Sequence, residues 1–315
     1  MNDGAPRTAP LVLFAYNRPR HLERVIDALR QDPLSERTRL VVFSDGPADS
    51  ADEERVKAVR SVLDGIHGFA SVEIVKRERN LGLARSVIGG VSEVIEAFGE
   101  VIVLEDDLVV SPMFLDFLNR LLRAYEGNER VFSVTGYNYP ARLARIPRDY
   151  PYTVYFSYRA SSWGWATWKD RWSRVDWEVG DYDRFIEDTA ARRRFDKGGA
   201  DLTEMLEAQM NGRLDSWAIR WCYSSFKLDM VNVYPVRTLL RNIGLDGSGV
   251  HCDTDERLED EIDSSFPSKF LLPPELALDR RIVEEVRRIY AADFLSRVRR
   301  KLRETIDRVS PIGRS

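Results

Sequence analysis

VIVLEDDLVV, residues 101–110, places three consecutive carboxylates between two apolar runs. Apolar runs of this length, bounded by polar residues, are consistent with buried strands. Adjacent carboxylates repel one another, and their burial is costly unless a positive group neutralises them. The stretch therefore predicts either a solvated rim at the end of a strand or a site that holds a cation.

Strand and helix patterns alternate around these acids. Short apolar runs predict strands at 11–15, 40–43, 72–75 and 101–104. Apolar residues at helical spacing predict helices around 22–29, 56–63, 87–98 and 114–125. We expect Ser111 and Pro112 to act as cap and first-turn residue of the last of these helices. The alternation predicts an α/β fold, a doubly wound and mostly parallel sheet with helices on both faces.

Polar clusters follow three of the predicted strands, at Tyr16–Arg18, Ser44–Gly46 and Glu105–Asp107. Ligands of such sheets bind at the carboxyl ends of the strands, so this convergence favours a site over a rim. Carboxylate oxygens suit Mg²⁺ or Mn²⁺, and Arg18 can pair with a phosphate or an acid. The chain has no GxxxxGK[ST], and no GxGxxG follows the first strand. A nucleotide diphosphate held through metal and arginine fits this pattern.

The second half differs in composition. All seven tryptophans lie between Trp163 and Trp221, which favours core packing, stacking against sugar rings, or both. Asn242–Gly249 contains three glycines and precedes His251, a composition typical of a mobile loop. The arginine-rich tail after Glu284 predicts an amphipathic basic helix, either packed on the domain or docked on a membrane surface.

Bulk properties exclude several classes of protein. The 315 residues are 43% hydrophobic, enough for a large core, and a net charge of −4 argues against a nucleic-acid binder. Cys222 and Cys252 form no CxxC, which argues against a cysteine-ligated zinc site. MNDGAPRTAP does not resemble a signal peptide, and no apolar run reaches the ~20 residues of a spanning helix. We therefore expect a cytoplasmic protein, at most peripheral at the inner face of a membrane.

Five segments together resemble the GT-A glycosyltransferases, most closely the N-acetylglucosaminyltransferase I type, which has bacterial relatives in polysaccharide synthesis. They are FAYNRP (14–19), FSDGP (43–47), LGLARSV (81–87), VIVLEDDLVVSPMFLDFL (101–118) and SSWGWATWKDRW (161–172). The resemblance implies a GT-A fold with a mixed, mostly parallel sheet. It divides the chain into a nucleotide-sugar-binding half (1–140), an acceptor-binding and catalytic half (141–275) and a C-terminal basic helix (276–315).

The resemblance also implies an activity. Such enzymes transfer a sugar with inversion from a UDP-sugar to a hydroxyl, with Mn²⁺ or Mg²⁺ as cofactor. We expect GlcNAc or a related sugar as the donor sugar, and a glycan or lipid-linked glycan as acceptor. A nucleotidyltransferase that makes nucleotide-sugars and a non-catalytic carbohydrate-binding protein are the alternatives. Nucleotidyltransferases usually carry a glycine-rich basic loop after strand one, which Tyr16–Pro19 is not.

The resemblance implies a role for each residue that matches a functional position of the family. Asp107 would ligate the metal, whereas Glu105 and Asp106 would contact the donor sugar and ribose. Asp45 would bond the uracil edge, and Ser248 would bind phosphate. His251 is either a metal or phosphate contact or a structural residue. The other predicted donor contacts are Ala15, Tyr16, Asn17, Arg18 and Arg85.

An inverting transfer needs a base that removes the proton of the acceptor hydroxyl. The family places it on an aspartate before a tryptophan, which matches Asp215 in LDSWAIR (214–220). The family has consecutive acids there and this chain has Asp215-Ser216, so the register is open by one position. A helix N-cap is the alternative role of Asp215. Trp163, Trp165 and Trp217 are the predicted acceptor contacts.

Overall fold

The computed structural model describes residues 8–245, 262 and 270–291. The strands are β1 (Leu11–Ala15), β2 (Arg39–Ser44), β3 (Ser71–Lys76), β4 (Glu100–Glu105), β5 (Leu108–Val110), β6 (Val131–Thr135), β7 (Val154–Ser157), β8 (Trp165–Trp168), β9 (Val231–Pro235) and β10 (Leu240–Asn242). The helices are α1 (Pro19–Arg30), α2 (Glu53–Asp64), α3 (Leu83–Phe98), α4 (Phe114–Tyr125), α5 (Lys169–Trp172), α6 (Tyr182–Glu187), α7 (Thr189–Phe195), α8 (Leu202–Met210), α9 (Trp217–Lys227) and α10 (280–291). Short 3-10 turns cover Ser35–Arg37 and Asp196–Gly198.

Eight strands form one sheet in the order β3-β2-β1-β4-β8-β6-β9-β7. The first four pair in parallel, as the alternation of strands and helices predicts. β8 runs antiparallel between β4 and β6, β9 is parallel to β6, and β7 is antiparallel to β9. β5 and β10 form a separate antiparallel ribbon. The predicted mixed, mostly parallel α/β sheet is confirmed, and it runs through both predicted halves of the chain.

Helices cover both faces of the sheet. Leu11 and Leu13 of β1 belong to the core beneath α1, α2 and α4. Val12 and Phe14 point the other way, into the core beneath α3 and α9. Successive strand side chains alternate between faces, so a strand buried on both faces must be apolar throughout. This is why LVLFA lacks polar residues.

The start of α4 differs from the prediction. Met113 is the N-cap residue, and the predicted cap, Ser111, accepts a hydrogen bond from the backbone N–H of Met113 instead. In the first turn, where backbone N–H groups have no partner within the helix, the N–H of Leu115 donates to Oδ2 of Asp32 at 2.8 Å. Asp32 follows α1, so a residue distant in sequence supplies the partner that a local cap usually supplies.

Part of the predicted C-terminal helix packs on the domain. In α10, the ring of Tyr290 lies 3.8 Å from the guanidinium of Arg159, which also pairs with Asp201 at 2.8 Å. This agrees with the packed alternative for residues 280–291, and later residues lie outside the described part of the chain. Within the described ranges, no helix is long and apolar enough to span a membrane.

Candidate active site

One guanidinium bridges two of the three acids of VIVLEDDLVV. Nη2 of Arg18 lies 2.5 Å from Oδ1 of Asp106 and 3.0 Å from Oδ2 of Asp107. The acid side chains are only 4% and 10% exposed, so they are not a solvated rim. Charge-assisted contacts of this kind are strong when water is excluded.

The loop after β1 reaches these acids because β1 and β4 are neighbours. Phe14 is in register with Glu105, which brings the two strand ends together. The backbone N–H of Tyr16 then donates to Oδ2 of Asp106 at 3.0 Å. The predicted meeting of the loop after strand one with the acids is confirmed.

The acid cluster is short of positive charge. Burial, followed by the charges of Asp107 and Asp106, raises the pKa of Glu105 to about 8. Burial also raises the pKa of Asp107, although the nearby Arg18 acts in the opposite direction. Carboxylates that are held close together repel one another, and a cation beside them relieves that repulsion. The oxygen-rich set can therefore accept a hard divalent ion.

Asp45 directly follows β2, and its backbone and side chain both form hydrogen bonds with other residues of the protein. Its backbone N–H donates to the carbonyl of Ala15 at 3.0 Å. Its carboxylate accepts the N–H of Leu81 at 3.0 Å and the hydroxyl of Ser86 at 3.3 Å. Asp45 thus attaches the start of α3 to the end of β2. Arg85, in the first turn of α3, is exposed.

The segment after β10 lies against the acids, a contact that sequence reasoning missed. The N–H of Ile243 donates to the carbonyl of Asp107 at 2.8 Å. A Cβ at Gly244 would lie 2.4 Å from Oδ2 of Asp107 and 2.7 Å from Nη1 of Arg18, so a side chain cannot fit without displacing them. The glycine-rich composition was a signal for a loop but not for this contact. The predicted site residues Ser248 and His251 lie outside the described residues.

Asp215 lies at the end of the sheet that holds the acid cluster. Its neighbour Trp217 has its ring 5.3 Å from that of Trp165, which is in register with Val103, two residues before Glu105. The Asp215 side chain is 71% exposed, 3.6 Å from Nη2 of Arg220.

The alternative of an N-cap does not hold for Asp215. The cap of α9 is Ser216, whose hydroxyl accepts the N–H of Ile219. The Asp215 carboxylate is therefore accessible to an incoming molecule.

Two of the three predicted acceptor tryptophans are core residues, which corrects that prediction. Trp165 is fully buried, with its ring stacked on that of Trp172 and tilted against that of Trp221, and Trp217 is 3% exposed. A ring enclosed on both faces has no surface for a sugar. Trp163 is half-buried.

Trp163 stands at the carboxyl end of β6. Its ring lies 4.7 Å from that of Tyr137, and its carbonyl accepts the hydroxyl of Thr135 at 2.8 Å. It precedes β8 at the end of the sheet that holds the acids, and it remains a candidate for sugar contact.

A cavity of about 660 Å³ lies at the opposite end of the sheet. Its lining includes Lys227 at the end of α9 and Met230 just before β9. β9 starts at the amino end of the parallel strands, so this cavity is separate from the acid cluster.

In the part of the chain that is described, no three His, Cys, Asp or Glu side chains form a metal-binding group. A metal at the acid cluster would therefore need further oxygen ligands from outside the protein. Mg²⁺ sites commonly take such ligands from substrate phosphates.

The model of the GNT-I family matches residues 2–197, more than half of the chain. No curated protein matches this chain. Among solved structures, the mannosyltransferase PcManGT from Pyrobaculum calidifontis, in complex with GDP-Man and Mn²⁺, is similar over 71% of this chain and 70% of its own. The identity is 12% and the TM-score 0.42.

Two further structures are similar over shorter stretches. The glucosyl-3-phosphoglycerate synthase from Mycobacterium tuberculosis, in complex with Mn²⁺, UDP and phosphoglyceric acid, matches over 52% of this chain and 56% of its own, at 16% identity and a TM-score of 0.33. S. aureus TarS matches over 41% of this chain and 21% of its own, at 13% identity and a TM-score of 0.28.

Proposed function

The chain belongs to the GNT-I family and is a glycosyltransferase, and we propose that it is a metal-dependent, inverting one. The proposed donor is a UDP-sugar, with GlcNAc or a related sugar, and the acceptor is a hydroxyl of a glycan or lipid-linked glycan. The observation that carries this proposal is the buried cluster of Arg18, Asp106 and Asp107 at the carboxyl ends of β1 and β4. Family membership favours glycosyl transfer over nucleotidyl transfer and over a non-catalytic role.

The acid cluster fits a hard divalent cation. Its donors are oxygens, and its carboxylates outnumber its guanidinium. Asp107 would hold Mn²⁺ or Mg²⁺, and Glu105 and Asp106 would face the donor sugar and ribose. When bound, the metal would neutralise charge on the diphosphate leaving group.

The chain's own residues would position the donor. Arg18 is ion-paired and 18% exposed, so it can present a guanidinium edge to a phosphate. Tyr16 and Asn17 border it, and Ala15 precedes them at the end of β1. Arg85 would approach the donor from α3, while Asp45 keeps α3 in place beside the site. A uracil contact would have to use a lone pair that Gly46, Leu81 and Ser86 leave open.

Asp215 would act as the general base. Its exposed carboxylate can accept the proton of an acceptor hydroxyl as that oxygen attacks the sugar carbon. Arg220 would hold the carboxylate in place. Trp163 would stack on the acceptor sugar. A cytoplasmic site of action, with peripheral membrane contact through the C-terminal helix, completes the proposal.

A thermal-shift panel of nucleotide-sugars with and without Mn²⁺ tests this assignment. We expect one UDP-sugar to raise the melting temperature only with metal, and Asp107→Ala to abolish that rise. Asp64→Ala is the matched control, because Asp64 pairs with Lys76 on the exposed end of α2. NMR of the transferred anomeric proton would test inversion. If no nucleotide-sugar stabilises the wild type with any metal, the proposal fails.

A further inference from the structure

Asp52 occupies the N-cap position of α2 but does not cap it. Its side chain accepts no hydrogen bond from a backbone N–H of its own helix, although the guanidinium of Arg55 in the first turn donates to Oδ1 at 2.6 Å. Aspartate is among the preferred N-cap residues because it usually does make that bond. The carboxylate is buried, and it also has two partners outside its own helix.

These two partners lie in the loop after β1. The hydroxyl of Tyr16 donates to Oδ2 of Asp52, and Nδ2 of Asn17 donates to Oδ1 at 2.9 Å. These bonds, with Tyr16 first, lower the pKa of Asp52, so the carboxylate is ionised. Burial, then the bond to Asp52, raises the pKa of Tyr16 to about 12, so its hydroxyl remains a donor.

The loop is consequently held from two sides. Asp52 holds the side chains of Tyr16 and Asn17, whereas Asp106 holds the N–H of Tyr16 and the guanidinium of Arg18. The N–H of Ala48 donates to the Tyr16 hydroxyl at 3.2 Å, which adds the turn after β2 to the same network.

We propose that Asp52 is a positioning residue that fixes residues 16–18 in the conformation that receives the nucleoside diphosphate of the donor. The inference rests on the proposed function, since it deepens the same site. A loop that folding has already ordered loses less conformational entropy when the ligand binds. Asp52 itself acts through Tyr16 and Asn17 and does not contact the donor.

UDP binding in the presence of Mn²⁺, measured by calorimetry, tests this role. Removing a carboxylate that accepts two bonds from the loop after β1 weakens UDP binding roughly tenfold in Asp52→Ala. The KM for the nucleotide-sugar rises by a similar factor, while kcat stays within about twofold because the base and acids are unchanged. Asp52→Asn, which keeps one acceptor oxygen for Asn17, restores part of the affinity. Asp64→Ala, on the same helix, leaves UDP binding unchanged.

A double-mutant cycle with Tyr16→Phe isolates the coupling. We expect Asp52→Ala combined with Tyr16→Phe to bind UDP no more weakly than Asp52→Ala alone. Wild-type affinity in Asp52→Ala, or losses that multiply in the double variant, would overturn the proposal. If Asp52→Ala does not fold, Asp52→Asn and Tyr16→Phe decide, and unchanged UDP affinity in both overturns it. Absence of nucleotide binding by the wild type would instead refute the proposed function itself.

Discussion

Replacing Arg18 with methionine is the sharpest test of the acid cluster. Methionine keeps much of the apolar stem and removes the charge that lies 2.5 Å from Asp106 and 3.0 Å from Asp107. Removing one partner of a buried ion pair costs about 3–5 kcal/mol, because the other charge remains buried. Arg18 is 18% exposed, so we expect the lower end, about 3 kcal/mol, in metal-free buffer at neutral pH.

Urea denaturation with linear extrapolation measures this loss, and the slope with denaturant should not change. Arg288→Met is the matched control. Arg288 is 66% exposed, and its ion pair with Glu285 should contribute less than about 1 kcal/mol.

The loss in Arg18→Met should shrink in acid, because protonation relieves carboxylates whose pKa values burial has raised, as at Glu105 and Asp107. If Arg18→Met loses no more stability than Arg288→Met, the guanidinium does not neutralise the acids and the reasoning is refuted.

Three further predictions concern the buried carboxylate behind α4, the base and the tryptophans. Burial raises the pKa of Asp32 from 3.8 to about 6, so the stability that Asp32 contributes falls as pH rises from about 4 to about 6. Urea unfolding should accordingly show Asp32→Asn gaining about 2 kcal/mol on the wild type between the two ends of that window. Asp215→Asn should lower kcat at least about 100-fold with UDP affinity unchanged by calorimetry, and an unchanged kcat would remove Asp215 as the base. Trp165→Ala should cost about 3–5 kcal/mol of stability. Trp163→Ala should instead raise the acceptor KM in a transfer assay and lower the melting temperature less than Trp165→Ala does.

Local patterns predicted most of the first half of the chain. The strand runs and the helical spacings recur in β1 to β4 and α1 to α4, within a few residues at each end. They succeed because periodicity reports which faces of a segment are buried. The meeting of Arg18 with Glu105–Asp107 was predictable as well, since parallel strands bring their carboxyl ends to one end of the sheet.

Contacts between distant segments were not predictable in this way. Trp163 and Trp165 are two residues apart in similar local sequence, yet one is half-buried and the other lies in the core. Which ring is enclosed depends on how α9 and α5 pack against β8. Asp52 reads as an ordinary N-cap in sequence, and only the position of Tyr16 shows that its carboxylate serves another loop.

The sequence by itself determined the α/β class, the strand ends that carry polar groups, and the family. It did so because burial period and motif spacing are properties of short segments. The tertiary structure decided which side chains those groups meet: Arg18 between two acids, Gly244 against Asp107, Asp52 on the loop after β1. Such pairings join residues tens to hundreds of positions apart, and they arise from the order and twist of the whole sheet.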